Sequence, residues 1–166
     1  MSDQAFRGIF TIPATPFDER GQLDEAGLRR VIDFCVECGA HGLVYPVNAS
    51  QFSVLSDNER LRGFRIVIEQ NAGRIPTMMG VQGVSKEHAA MFAREANALG
   101  ASSVIAMTPY VVKVGNPDMV VEYYRAINAV VDIPICIQNH AVGSELSVAT
   151  MARIVKIIKL VHGRSR

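Results

Sequence analysis

Five short apolar runs recur about thirty residues apart, each followed by a stretch of helical periodicity. They are Gly8 to Ala14 (GIFTIPA), Gly42 to Val47 (GLVYPV), Ile75 to Gly80 (IPTMMG), Ser103 to Met107 (SVIAM) and Ile133 to Gln138 (IPICIQ). Strands alternating with helices predict a parallel sheet with helices packed outside it. The runs are near-continuous instead of strictly alternating, as strands covered on both faces require. In such folds ligands bind where strands end and loops begin, so the residues after each run are the functional candidates.

The helices carry their own punctuation. Leu28, Val31, Ile32, Cys35 and Val36 have i, i+3, i+4 spacing and predict a helix over residues 24–39, with Gly39 suited to its end. Ser56-Asp57-Asn58-Glu59 has the S-x-x-E spacing of a capping box and predicts a second helix to about Asn71. Ser85 can cap a third that reaches Leu99 before Gly100. Asn116-Pro117 places proline at the first position of a fourth helix running to about Val131, and Ser147 can cap a fifth. This pattern suits a five-stranded doubly wound sheet and a barrel of the TIM type equally; a complete (β/α)8 barrel takes about 250 residues. Gly80-Val81-Gln82-Gly83 is a turn, and no G-x-G-x-x-G phosphate loop is present.

With 166 residues, 49% of them hydrophobic, the chain has material for one domain with a real core. A formal net charge of +1 with both signs dispersed gives no footprint for nucleic acid and points to a small-molecule ligand. The start MSDQAFRG lacks a secretory pattern, and no run approaches membrane-spanning length, so a cytoplasmic location and no membrane partner are expected. Asn48-Ala49-Ser50 is accordingly not read as a glycosylation acceptor. Cys35 and Cys38 form a CxxC near the end of a helix pattern, where core packing is favoured over redox or zinc chemistry, and Cys136 is expected in the core.

Polar residues follow every run: Thr15; Asn48, Ser50 and Gln51; Gln82; Thr108 and Tyr110; Gln138, Asn139 and His140. Parallel strands would bring them to one rim. The set holds hydroxyls, amides, a phenol and an imidazole, with no metal-ligand cluster, and suits a carboxylate- or hydroxyl-bearing organic ligand. Loop capping competes with ligand binding for each residue singly, and His140 is read as a satisfied loop histidine ahead of a rim base.

The segments GIFTIPATPFDERGQLDEAGLRRVIDFCVECGAHGLV, LSDNER, MGVQGVSKEHAAMFAREANALGASSVIAMTPY and IPICIQNHAVG resemble the dihydrodipicolinate synthase and N-acetylneuraminate lyase family over about Gly8 to Lys156. Thr15-Pro16-Phe17 and the stretch from Gly100 to Tyr110 carry the most specific matches. The resemblance implies an α/β fold of the (β/α)8 TIM-barrel type, of which this chain holds about the first five βα units. Residues 1–166 would then form a single incomplete barrel domain, with 157–166 an atypical tail. It also implies class I aldolase chemistry without a cofactor: a lysine on the sixth strand forms a Schiff base with pyruvate or a related 2-oxo acid, and the protonated imine serves as electron sink.

Several positions depart from the family. Where it has G-T-T-G-E for the substrate carboxylate, this chain has Val47-Asn48-Ala49-Ser50-Gln51, so Asn48, Ala49 and Ser50, together with Tyr110 and Gln138, are the substrate-binding candidates. Gln138 replaces a proton-relay tyrosine and cannot titrate; Val111 replaces the second tyrosine of TPYY, leaving Tyr110; Gly143 stands where synthases place an arginine for the second substrate. Together they imply a branch divergent from the lysine-pathway synthase. The family lysine would fall near Arg166 or beyond, so the chain is expected to be inactive alone, with Lys159 and Tyr110 as weak catalytic candidates. The alternative is a noncatalytic 2-oxo-acid or sugar-acid binding or assembly protein. A partly built barrel leaves strand edges open, and homo-oligomerisation is expected.

Overall fold

The computed structural model describes residues 6–111 and 116–158. The sheet has five strands, β1 (Phe10–Thr11), β2 (Gly42–Tyr45), β3 (Thr77–Gly80), β4 (Ser103–Met107) and β5 (Ile135–Gln138), in the order β1-β2-β3-β4-β5. Consecutive order without reversal is the topology of a barrel segment; a doubly wound sheet reverses at a switch point. The α/β architecture of the TIM-barrel type is therefore the one observed. Compact packing divides the chain into two units: residues 1–80 with 99–102, and residues 81–98 with 103–166.

In the first unit, β1 pairs with β2 and β2 with β3, all parallel, with Phe10 opposite Gly42 and Val44 opposite Met78. β1 is shorter than the run Gly8 to Ala14, because Pro13 has no N–H for a ladder and Gly8 turns away at φ +94°. α1 (Glu25–Glu37) is capped by Asp24, whose carboxylate accepts the Gly27 N–H at 2.8 Å, and buries Leu28, Ile32 and Cys35. α2 (Asp57–Asn71) starts with the anticipated capping box: Ser56 Oγ accepts the Glu59 N–H while the Glu59 carboxylate accepts the Ser56 N–H. The Ser56 hydroxyl also donates to the Glu59 carboxylate at 2.7 Å, and that bond, with the one from the Ser56 N–H, holds the Glu59 carboxyl below the usual carboxylate range. The two helices are joined outside by Arg29–Glu69 at 2.9 Å and by Arg74 and Gln70, both reaching Asp33 at 2.6 Å.

In the second unit β4 pairs with β5 in parallel, Met107 opposite Gln138. α3 (Lys86–Ala98) buries Ala89, Phe92, Ala93 and Ala96, and Ser85 Oγ accepts the His88 N–H in its first turn. α4 (Pro117–Asn128), capped by Asn116, buries Val120, Val121, Tyr123, Tyr124 and Ile127. α5 (Val148–Val155) is capped by Ser147, as anticipated. Two buried tyrosines of α4 meet backbone, as phenols taken out of water must. Tyr123 Oη accepts the Gly83 N–H at 2.9 Å, and Tyr124 Oη donates to the Ala106 carbonyl at 2.8 Å.

Two cysteine expectations need correction. Cys136 is half-buried, because β5 is covered less completely than β2, β3 and β4. Within the CxxC only Cys35 joins the core; Cys38, at the helix C-cap, is exposed. No helix among the described residues is long and apolar enough to cross a membrane.

Candidate active site

The carboxyl end of β2 is built around Tyr45. Its ring lies against the backbone of α2 at Gly63, where a Cβ would come within 2.7 Å of Tyr45 Cε1, so glycine makes room for the phenol. Tyr45 Oη lies 3.1 Å from Thr15 Oγ1, and Thr15 Oγ1 lies 2.6 Å from the Ser50 carbonyl oxygen. A carbonyl only accepts, so the Thr15 proton goes to Ser50 and the Tyr45 hydroxyl donates to Thr15. The chain Tyr45, Thr15, Ser50 is buried throughout, with Tyr45 and Ser50 at 0% exposure. Burial, partly offset by the Thr15 contact, pushes the Tyr45 phenol up to about 12, so at neutral pH it is a donor and not a base.

Beyond Tyr45 the chain makes a 3-10 turn, Asn48–Ser50, closed by Ser50 N–H to the Val47 carbonyl at 2.9 Å, and passes through Gln51 at φ 58°. This turn separates the predicted residues. Ser50 is fully buried, Asn48 half-buried, and Ala49 and Gln51 exposed. Among the described residues Ser50 Oγ is a buried hydroxyl without a hydrogen-bond partner. Such a group costs about 1–3 kcal/mol, which a ligand accepting or donating there would recover. Nearby in the same unit, Arg60 of α2 is buried, donates to the Gly80 carbonyl at 3.1 Å and stands over the Phe52 ring at 5.4 Å. Sequence reasoning named Thr15 and Ser50 but missed Tyr45 and Arg60. Tyr45 was hidden inside an apolar run, although a buried tyrosine always raises the question of what its hydroxyl meets.

The second unit forms its own rim from the loops after β4 and β5. Thr108 Oγ1 donates to the Ser144 carbonyl at 2.6 Å, and Ser144 Oγ donates to the Pro109 carbonyl at 2.8 Å. Gly143 sits so close to Thr108 that an added Cβ would lie 2.4 Å from its Oγ1 and 2.9 Å from its carbonyl oxygen. The glycine read as a departure from the family thus suits the packing, and a side chain there would require Thr108 and the loop to shift. A cleft of about 350 Å³ is lined by Asn139, His140, Ala141, Gly143 and Glu145. His140 Nδ1 accepts the Val142 N–H at 3.1 Å, leaving Nε2 to carry the ring proton. This is the satisfied loop histidine expected.

Gln138, at the end of β5, and Tyr110, after β4, are both half-buried, while Val111 is 64% exposed. Thr108 and Gln82 are buried. Each unit therefore gathers its own polar rim residues: Thr15 with Tyr45 and Ser50 in one, Thr108 with Ser144 and the Asn139–His140 turn in the other. Lys86 opens α3 and Lys156 follows α5, both exposed; Lys159 and Lys113 lie outside the described residues. Among the described residues no cluster of His, Cys, Asp and Glu could hold a metal ion.

Consecutive parallel βα units with hydroxyl and amide groups at the strand ends define a segment of a (β/α) barrel. The chain belongs to the dihydrodipicolinate synthetase family, whose model matches residues 5–163. It is 33% identical over 159 residues to L-2-keto-3-deoxyarabonate dehydratase of Azospirillum brasilense, covering 93% of this chain and 51% of that protein. It is 34% identical over 158 residues to 4-hydroxy-tetrahydrodipicolinate synthase of Rhodospirillum centenum, covering 94% and 54%. Among solved structures it is similar to a prophage protein of the dihydrodipicolinic acid synthase family from E. coli K12 in complex with pyruvate. The TM-score is 0.85 and the identity 26%, over 91% of this chain and 51% of that one. The chain spans about half the length of the curated relatives it matches.

Proposed function

We propose that this chain supplies the carboxylate-binding part of a lyase or aldolase acting on pyruvate or a related 2-oxo acid through Schiff-base chemistry. The observation that carries the reading is the buried, unpartnered Ser50 hydroxyl at the end of β2. It stands where the family resemblance expects the substrate carboxylate, beside the buried Tyr45–Thr15 pair. A carboxylate oxygen accepting the Ser50 proton would satisfy both partners, a charge-assisted bond worth about 1.5–3 kcal/mol. Tyr45, held protonated, keeps Thr15 oriented toward Ser50 and leaves the Ser50 hydroxyl free to turn to the ligand.

Imine formation is the role of a sixth-strand lysine, an element that the five strands described do not include. By resemblance to the family, Tyr110, after β4, and Gln138, which ends β5, are the substrate-contact candidates of the second unit. A cytoplasmic location and self-association are part of the same proposal.

Titration calorimetry with pyruvate tests the proposal. Binding by the chain, weakened at least about ten-fold in Ser50→Ala, is the expected result. Binding unaffected by Ser50→Ala refutes the assignment, and no binding refutes the function. Pyruvate followed by borohydride separates the two forms of the reading. No adduct on the chain is expected, whereas a mass increase on Lys159 would place the nucleophile within these 166 residues. Binding without adduct or turnover in the complete assembly would favour a noncatalytic binding role instead.

A further inference from the structure

The CxxC at the end of α1 lies outside the chemistry of the strand ends. Its two thiols differ in access: Cys35 is 7% exposed and packs in the core, while Cys38 is exposed at the C-cap. The Cys38 N–H donates to the Phe34 carbonyl at 2.9 Å, so the helix is intact up to this residue. Helical rise and radius then place the two Cα atoms about 5 Å apart, inside the range of about 4.4–6.8 Å that a disulfide spans. Side chains three apart on a helix share a face with Cβ atoms about 5–6 Å apart, whereas a disulfide draws them to about 3.8 Å. The end of α1 is where that closure is easiest. Gly39 N–H already makes a tighter i to i−3 bond to the Val36 carbonyl at 3.0 Å, and Gly39 leaves the helix at φ +81°.

We propose that Cys38 and Cys35 form a reversible thiol–disulfide site that reacts with small disulfides, Cys38 attacking and Cys35 resolving. The Cys38 thiolate displaces one sulfur of a low-molecular-weight disulfide, releasing one thiol and forming a mixed disulfide on Cys38. Cys35 gives up its proton to water, attacks the Cys38 sulfur and expels the second thiol. Two protein thiols and one external disulfide thus become one protein disulfide and two external thiols, a two-electron exchange. Burial pushes the Cys35 thiol up, with Cys38 beside it adding to the effect, which suits a residue that stays protonated until Cys38 has reacted. The required contraction of Cβ spacing makes the product easy to reduce, as labile and regulatory disulfides are.

The test uses the whole chain under native conditions with oxidised glutathione, an acid quench, maleimide labelling and tryptic mapping. Cleavage after Arg30 and Arg60 isolates Cys35 and Cys38 on one peptide, apart from Cys136. The expected product is that peptide about 2 Da below its dithiol mass and free of maleimide. Dithiothreitol restores the dithiol, and Cys35→Ala accumulates about ten-fold more glutathione on Cys38 than the wild type. A wild-type peptide that carries glutathione on Cys38 without loss of the second thiol overturns the proposal, as does maleimide on both cysteines. If Cys35→Ala fails to fold, the wild-type map decides alone: the lighter peptide supports the site and its absence refutes it.

Discussion

Replacing Thr15 with valine keeps shape and volume but removes the hydroxyl that joins Tyr45 to the Ser50 carbonyl. Thr15 is 7% exposed and both partners are at 0%, so water cannot take its place. The 2.6 Å and 3.1 Å contacts disappear together, leaving a buried carbonyl and a buried phenol each without its partner. At about 1–3 kcal/mol for each orphaned group, with some relaxation, Thr15→Val should destabilise the chain by about 2–4 kcal/mol. Thr15→Ser keeps the hydroxyl and gives up one methyl, a loss of about 1 kcal/mol. Urea denaturation followed by circular dichroism measures both. A cycle with Tyr45→Phe adds a second check: once the phenol is gone, Thr15→Val strands one group fewer, and coupling of about 1 kcal/mol is expected. Thr15→Val no worse than Thr15→Ser, or strict additivity in the cycle, would show that the three groups are not the hydrogen-bonded unit described.

Other expectations concern pH, packing and helix capping. The unfolded phenol ionises near pH 10 whereas Tyr45 in the fold holds its proton to about 12. Its stabilising contribution is full below pH 10 and falls between 10 and 12, so wild type should lose about 1.4 kcal/mol more than Tyr45→Phe between pH 9 and 11 in parallel urea titrations. Gly143→Ala forces a Cβ against Thr108 and should lower stability by about 1–3 kcal/mol, visible as a reduced urea midpoint. Ser56→Ala removes the α2 cap and should cost about 1 kcal/mol at neutral pH. Because the Ser56 bonds hold Glu59 ionised, that difference should shrink as pH falls through the carboxylate range.

The helices were legible because their ends carry local chemistry. Asp24, Ser56, Ser85, Asn116 and Ser147 each accept a backbone N–H at or near the position anticipated, a decision made within four residues of chain. Strand order was legible only through the family resemblance, since apolar periodicity does not encode neighbours. The site divided along the same line. Ser50 could be named from its place after a run, but its full burial depends on a 3-10 turn that no propensity announces. Tyr45 lies inside an apolar run and Arg60 inside a helix pattern, and only their packing against Gly63 and Phe52 singles them out. The exposure of Cys38 turns on whether one more residue belongs to α1, the kind of boundary that sequence resolves least well.

Gly143 also bears on how such a loop can change over generations. A side chain there would meet both the Thr108 hydroxyl and its main-chain oxygen, so shortening Thr108 relieves only half of the conflict. Acquiring a charged residue at this position would first require the backbone after β5 to take another path. The two arrangements therefore differ in the path of the loop as well as in the residue at 143. Screening single substitutions at 143 alone should return few folded chains, whereas libraries that vary residues 139–145 together with Thr108 have a route across.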